Sequence, residues 1–400
     1  MEKKNVAVIF GGRTTEHDVA VITGVQFMEN MNKEKYSIIP VFIDGNGVWY
    51  TGDALLDINS YKHFEDVKSK LTEVYISPIP NINALLNANP KMFGKKEVAK
   101  IDVAVVSIHG MNGEDGTVQG LLELANIPYV SSGVLGSALG MDKIAMKAVF
   151  KGTDLPILKY EYFLKSEWQK NKDEIIKHLE SSLKYPMFVK PANLGSSIGI
   201  SKAKDTDGLI KAIEIATGYD KRIIVEEGVE NLVEINCSAL GYDDNIETSV
   251  CEEPTNWEEF LTFEDKYIRS NAKTGSSKTG SGKQGMAQMD RKIPADLPED
   301  LTKRIQELTR LAFKHLNCSG VARVDFIIDK NTMTPYINEI NTIPGSFSFY
   351  LWQYTDLKYP ELIDRLILNA EKIYKEKNEN VYSFTSTIMN NVGKSAKLNK

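Results

Sequence analysis

The feature that most constrains this chain is a recurrence near its start. Val6–Phe10 is an apolar run with the length of a strand, followed by a turn at Gly11-Gly12 and helical spacing from Glu16 to Met28, with Thr15 placed as its cap. The pattern returns as the apolar run Val103–Ile108, the turn-rich HGMNGEDG (109–116), a helix over Val118–Leu124 and a short strand over Ile127–Val130. Strands alternating with helices predict an α/β fold with an open, largely parallel sheet, whose ligands gather at the carboxyl ends of its strands. Residues 45–98, polar and rich in asparagine, interrupt the alternation and read as an elaborated connection.

A chain of 400 residues exceeds one core and predicts two or three domains. A first unit spans 1–140. A second, 141–229, holds strands at Tyr160–Phe163, Pro186–Lys190, Ile198–Lys202 and Arg222–Val225, with helices over Glu167–Leu183 and Thr206–Ala216. A third, 230–376, opens on the alternating VEINCSAL and contains a helix over Pro298–Leu316, stopped by Ser319-Gly320. Residues 270–292, SNAKTGSSKTGSGKQGMAQMDRK, form a loop that is either a surface insertion or a lid. The polar stretch 377–400 reads as a frayed tail. With 26% charged residues and a net charge of −6, the chain belongs with soluble globular proteins, and nothing in it suggests a nucleic-acid surface as the main business. The start MEKKNVAVIFGGR is too briefly apolar for a signal peptide or membrane span. Cys237, Cys251 and Cys318 lack any CxxC pair, which predicts buried, reduced thiols in the cytoplasm rather than disulfides or zinc.

The chemistry concentrates in 322–342. Two strand-like runs, ARVDFII and PYINEIN, flank a turn at Asp329–Thr334. Side chains alternate along a strand, so Arg323 shares a face with Asp325, and Glu339 with Asn341. Asp325, Glu339 and Asn341 are oxygen donors of the kind Mg²⁺ prefers, and cross-strand neighbours ~5 Å apart can share one or two ions. Arg323 suits a phosphate or a developing oxyanion. The register stays open, since the turn can shift by a residue, and a face laced with exposed ion pairs is the simpler alternative. NTIPG (341–345), a sharp turn after the second run that ends at Gly345, favours a ligand. FVKPANLGSSIGIS (188–201) places Lys190 before a Gly195-Ser196-Ser197 loop, which reads as a flap over phosphates or as a plain hairpin turn. It is not a P-loop, and GSGKQG (280–285) has Gln284 where that motif needs Ser or Thr. Glu226, Glu227 and Glu234 can accept hydrogen bonds from a ribose and an exocyclic amine, or be solvated. Glu16 lies at a helix N-terminus, and His109 lies in a glycine-rich loop where a structural role is the ordinary one.

Taken in order, VAVIFGGRTTEHDVAVITG (6–24), HGMNGEDGTVQGLLELANIPYVSSGVLGSALGMDK (109–143), YPMFVKPANLGSSIGIS (185–201), EDKY (264–267), IPADLP (293–298), CSGVARVDF (318–326), NEINTIPG (338–345) and YPELIDRLI (359–367) resemble the D-alanine–D-alanine ligases of the ATP-grasp fold. The resemblance reaches about residue 375, apart from 45–98 and 270–292. It implies three domains with an N-terminal Rossmann-like open parallel sheet. It also implies ATP-dependent ligation of two D-alanines through a D-alanyl phosphate, for peptidoglycan precursor synthesis, by a cytoplasmic homodimer with no nucleic-acid or membrane partner. Asp325, Glu339 and Asn341 would hold two Mg²⁺ (or Mn²⁺) ions on the ATP phosphates, and Arg323 would stabilise the acyl phosphate and the tetrahedral intermediate. Lys143 and Lys190 would bind phosphate, Ser197 would belong to the flap, Glu226 would face adenine and Glu234 ribose. Glu16, Ser196 and Tyr267 would form a hydrogen-bonded trio that positions substrate. Lys266 and His109 would face the phosphates and the first substrate, and Gly345 would line the substrate site. GSFSFYLW (345–352) is shorter than the family's usual segment and the 270–292 loop is longer, so the acceptor is the open point. Tyr267 favours an amine acceptor; D-serine, D-lactate or another amino acid is the alternative. A nicotinamide oxidoreductase would need a GxGxxG that the chain lacks, and a non-catalytic ATP-binding protein would not need Arg323, Asp325, Glu339 and Asn341 together.

Overall fold

The computed structural model describes residues 3–92, 94–195, 197–254 and 291–381. Expectations placed on Ser196, Lys266, Tyr267, residues 270–290 and residues 382–400 lie outside the described residues. The described residues form three sheets.

The N-terminal sheet has eight strands in the order β6-β5-β4-β3-β2-β1-β7-β8. Its apolar centre is β1 (Lys4–Gly11) between β2 (Tyr36–Ile43) and β7 (Val103–Ser107), with β8 (Tyr129–Val130) outside β7, all parallel. Val6–Phe10 and Val103–Val106 are fully buried, as continuous apolar runs covered on both faces must be. The sequence pattern omits β2, because Pro40 interrupts its apolar run and proline argues against a strand. Pro40 is accommodated because β3 pairs only with Val41–Ile43. Residues 45–98 are not an irregular connection. They supply β3 (Trp49–Thr51), β4 (Thr72–Ile76), β5 (Ala84–Asn87) and β6 (Glu97–Lys100), which extend the sheet antiparallel from β2. The sheet is therefore mixed, parallel on one side of β2 and antiparallel on the other. The first helix is His17–Asn30, and Thr15 does not cap it: Thr14 Oγ1 accepts from the Glu16 amide at 3.3 Å instead.

The central sheet is antiparallel, in the order β11-β10-β12-β9: β9 (Tyr160–Leu164), β10 (Met187–Pro191), β11 (Ser201–Ala203) and β12 (Arg222–Glu227). The expected helix over 167–183 is two, Lys165–Lys170 and Lys172–Ser182, broken at Asn171. The second of these and Thr206–Thr217 pack Ile176, Leu179, Leu209 and Ile213 on Val189, Ile223 and Val225.

The C-terminal sheet is antiparallel too, in the order β15-β14-β13-β16-β17: β13 (Leu232–Tyr242), β14 (Asn245–Pro254), β15 (Arg291–Lys292), β16 (Gly320–Asp329) and β17 (Thr334–Asn341). Helix Glu299–His315 covers it with Ile305, Leu308, Ala312 and Phe313. That helix ends at Asn317, in the left-handed region (φ 55°), with the Cys318 amide returning to the Phe313 carbonyl at 3.0 Å; Ser319-Gly320 lies beyond the stop. Helix Lys143–Gly152 packs Met146 and Phe150 into this same core. The last helix, Tyr359–Asn378, runs past residue 376 and packs Leu362, Ile363, Leu366 and Ile367 into the core of the N-terminal sheet. Cys237, Cys251 and Cys318 are buried and free. No helix among the described residues is long and apolar enough to cross a membrane.

Candidate active site

The β16–β17 hairpin answers the register question. Arg323 pairs with Asn341 and Asp325 with Glu339, and the Asp329–Thr334 pair closes the turn. The face is not a solvated set of surface ion pairs. Arg323 grips Asp325 with two parallel bonds, Nε to Oδ1 at 2.6 Å and NH2 to Oδ2 at 2.7 Å, and Asn341 Nδ2 adds a third to Oδ2 at 3.0 Å. Burial raises the Asp325 pKa, Arg323 opposes that, and the charges of Glu339 and Glu252 raise it further. Burial likewise works against the Arg323 charge, but Asp325 more than offsets it.

The ladder slips between Asp325 and Phe326, and the extra residue on β17 is Asn338. Ile337 and Ile340 keep their places in the core, so the two residues between them both face the site. Asn338 was not singled out in the sequence; the signal is the three-residue spacing of Ile337 and Ile340 in a strand of period two.

Two lysines cross from the central sheet side to β17. Lys190, on β10, donates to Glu226 Oε2 at 2.8 Å and to Asn338 Oδ1 at 3.1 Å. Lys143, at the start of its helix, donates to the Leu194 carbonyl at 2.7 Å and stands 3.6 Å from Glu339 Oε2. Glu226 is not solvated: it is buried, 3.2 Å from Lys147 through Oε1. Burial alone would raise its carboxyl pKa, but Lys147 and Lys190 override that and hold it at about 2. Lys147 is a second residue missed in the sequence, although it lies one helical turn after Lys143. Glu234 on β13 is near enough for its charge to reach Lys190. Ser197 sits in the loop between β10 and β11, in the left-handed region (φ 61°). Glu227 is outside the cluster, where it accepts from the Lys184 amide at 3.1 Å.

The N-terminal sheet contributes its loop after β7. His109 is buried, with Nε2 2.9 Å from Thr23 Oγ1, and burial with the nearby Arg323 charge lowers its pKa to about 4, against a carbonyl bond from Ile343. Glu114, a third residue the sequence reading passed over, accepts from the amides of Gly110 (2.8 Å) and Ile343 (3.1 Å). Burial and the neighbouring Glu16 raise its pKa to about 8. The Glu16 carboxylate lies against Gly110 and Gly195, so close that a Cβ at either would come within 2.6 and 2.8 Å of it. Glu16 therefore faces the loop after β10 at Gly195; the other two members of the expected trio, Ser196 and Tyr267, lie outside the described residues. Gly345 opens a tight turn in which the Ser346 amide donates to Thr23 Oγ1 at 3.2 Å and its hydroxyl to Gln26 Oε1 at 2.6 Å.

Ammonium groups on one side and oxygen donors with a guanidinium on the other thus face each other between two antiparallel sheets, with Lys143 bonded to the loop after β10 at the Leu194 carbonyl. That arrangement defines an ATP-grasp enzyme, a class that holds a nucleotide between two such sheets and spends it to activate a carboxylate. The D-ala D-ala ligase N-terminus model matches residues 5–132, including 45–98, and the D-ala D-ala ligase C-terminus model matches residues 149–368. The chain belongs to the D-alanine–D-alanine ligase family. It is 38% identical to the D-alanine–D-alanine ligase of Acetivibrio thermocellus over 387 residues, 94% of this chain and 98% of that one. It is 40% identical to that of Bacillus cytotoxicus over 397 residues, 96% and 100%. Among solved structures it is similar to the D-alanine–D-alanine ligase from Coxiella burnetii (TM-score 0.77, 28% identity, 95% of this chain and 97% of that one). It is also similar to the VanG D-Ala:D-Ser ligase from Enterococcus faecalis (TM-score 0.77, 31% identity, 92% and 100%).

Proposed function

We propose that the protein joins two D-alanines at the expense of ATP, through a D-alanyl phosphate, and so supplies a peptidoglycan precursor. The observation that carries this is the meeting of Lys143 with Glu339 and of Lys190 with Asn338, on the strand that carries Asn341 and pairs with that of Arg323 and Asp325. An amine does not displace water from a carboxylate unaided, so the carboxylate must first take a phosphoryl group. Lys143 and Lys190 would hold the donor's phosphates, Ser197 would cover them, and Glu226 and Glu234 would lie toward adenine and ribose. Glu16, buried near the Gly195 loop, would hold the ammonium of the first D-alanine, and neutral His109 and the Gly345 turn would close that end. Arg323, oriented by Asp325, would steady the oxygens of the acyl phosphate and of the tetrahedral adduct.

Asp325, Glu339 and Asn341 suit Mg²⁺ or Mn²⁺: all are hard oxygen donors, and the Glu339 charge raises the Asp325 pKa, a repulsion that a divalent cation relieves. Two ions bound there would supply neutralisation of the transferring phosphoryl group. We further infer a cytoplasmic homodimer and a division into units 1–140, 141–229 and 230–376. The expected lid of 270–292 is kept to 270–290, since Arg291 and Lys292 form β15, and the expected tail of 377–400 starts after Asn378, where the last helix ends. The trio of Glu16, Ser196 and Tyr267, and a phosphate role for Lys266, belong to the same proposal.

A second reading, with another acceptor such as D-serine or D-lactate, is favoured by one local feature. Tyr350, from the divergent 345–352 segment, donates to Glu252 at 3.1 Å and lies beneath Arg291, whose guanidinium is 4.3 Å from its ring centre. Such a charged cluster beside Arg323 can reshape the acceptor end. Incubation with ATP, Mg²⁺ and equal D-alanine, D-serine and D-lactate separates the readings by mass spectrometry. D-alanyl-D-alanine should dominate with stoichiometric phosphate release. A dominant mixed product would establish the second reading, and no phosphate release would defeat both.

A further inference from the structure

Between β10, β12 and helix Lys143–Gly152 lies a buried charge cluster that the proposed reaction uses only in part. Glu226 is 1% exposed and is shared by two ammonium groups, Lys190 at Oε2 (2.8 Å) and Lys147 at Oε1 (3.2 Å). Lys147 is fully buried. Nearby, Asp325 is held by Arg323, whereas Glu339, opposed by Lys143, also reaches Lys147 and Lys190 with its charge. Two buried cations in direct contact with one buried anion are costly to shield from water, even with the charges of Glu339 and Glu234 in reach. A methionine at position 147 would fill the same space without that cost. Burial and the Lys190 charge push the Lys147 pKa down, against the opposing charges of Glu226 and Glu339.

Lys190 is the member of the cluster with a proton to offer. Glu226 and Asn338 take two of its three protons, and among the described residues no third acceptor is recorded. If Glu226 were paired with Lys190 alone, the two would be a neutral couple with little attraction for a polyanion. With one oxygen engaged by Lys147, the carboxylate's charge is divided and Lys190 keeps positive potential. We propose that Lys147 is a positioning residue for the nucleotide polyphosphate, occupying one oxygen of Glu226 so that Lys190 presents charge as well as a proton to the anion. This rests on the reading of Lys190 as a phosphate-binding group.

The test compares KM for ATP, and adenosine as competitive inhibitor, in Lys147→Met, Lys190→Met, Glu226→Gln and Lys147→Met/Glu226→Gln. Lys147→Met should raise KM for ATP about tenfold with a smaller fall in kcat, and leave the adenosine inhibition constant within about twofold. Because Glu226 also lies toward adenine in the proposed reading, the double variant, whose neutral amide no longer offsets the Lys190 charge, is read against Glu226→Gln alone, and the two should agree in KM to within about threefold. A structural role for Lys147 would weaken adenosine and ATP alike, and would keep KM in the double variant above that of Glu226→Gln; either result overturns the proposal. So does an unchanged KM in Lys147→Met alongside a raised one in Lys190→Met, which spares the reading of Lys190. An unchanged KM in Lys190→Met overturns that reading and the proposal with it. Should Lys147→Met fail to fold, Lys147→Gln is read by the same outcomes.

Discussion

His109 enters the site as an uncharged ring, and that state has a measurable signature. Burial and Arg323 lower its pKa to about 4, whereas the unfolded chain returns it to about 6.5. Between those values the unfolded chain binds a proton that the folded protein refuses, so acid favours unfolding. The contribution of this residue is complete above pH 6.5 and is lost as pH falls through 4. Glu114 runs the other way: its folded pKa of about 8 gives a contribution that is complete below its unfolded value and lost as pH rises through 8. Comparing parent and variant isolates the histidine. His109→Gln keeps a nitrogen near Thr23 but cannot titrate, so from pH 8 to pH 5 the parent should lose about 2 kcal/mol more than the variant in urea unfolding. Parallel stability curves would mean that the ring is charged in the folded protein. Elsewhere the residue scale explains what could be anticipated. Arg323, Asp325, Glu339 and Asn341 were legible because alternation alone assigns them to a face. The Lys147–Glu226 pair was not, since nothing local in either segment records a contact between a helix and a strand some eighty positions away.

Among the elements, the turn after β17 is the most strained. Ser346, Phe347 and Ser348 have φ of 52°, 53° and 51°, three successive side-chain-bearing residues in the left-handed region, which costs roughly 1–2 kcal/mol at each. Contacts hold them there: the Ser346 bonds to Thr23 and Gln26, and Phe347 against Phe27 with ring centres 4.9 Å apart. Ser348 lacks such support, and its buried hydroxyl has no hydrogen-bond partner among the described residues. Ser348→Gly removes both penalties and adds chain freedom to the unfolded state, so a net gain of about 1 kcal/mol is expected in urea unfolding. A loss of stability would show that the turn is relaxed. Strain of this kind clusters where a loop must hold a ligand, and this turn carries Gly345. Element-scale legibility follows physical rules as well. The hairpin, the helix Glu299–His315 and the central strands were readable because their periods are long enough to register. β3 to β6, of three to five residues each, are too short to show alternation, and Pro40 disguises β2. The bulge at Asn338 changes the aim of one side chain without changing the composition of its strand.

At the scale of the whole molecule, the three sheets do not own three separate cores. Helix Lys143–Gly152 leads into the central sheet but buries Met146 and Phe150 with the C-terminal one. Helix Tyr359–Asn378 follows the C-terminal sheet but buries Leu362, Ile363, Leu366 and Ile367 with Val103, Val105 and Val130 of the N-terminal sheet. The last described helix thus returns to the N-terminal sheet, a return reinforced by ion pairs of Lys4 with Glu371, Lys35 with Asp364 and Lys377 with Glu123. Exposed pairs of this sort contribute little, so the apolar face of the helix should supply most of the attachment. Such an arrangement fixes the loop after β7, with His109 and Glu114, against the turn after β17, because both are tethered to elements that the last helix spans. Leu366 is 1% exposed, and Leu366→Ala should cost about 3 kcal/mol through lost burial and the cavity left behind. Its effect should be felt across the sheets. Amides of β7 and β16 should lose hydrogen-exchange protection together, and heat should still unfold the variant in one transition at lower temperature. If β7 kept the parent's protection while β16 lost it, the last helix would be serving the C-terminal sheet alone, and the first unit would be an independently stable body.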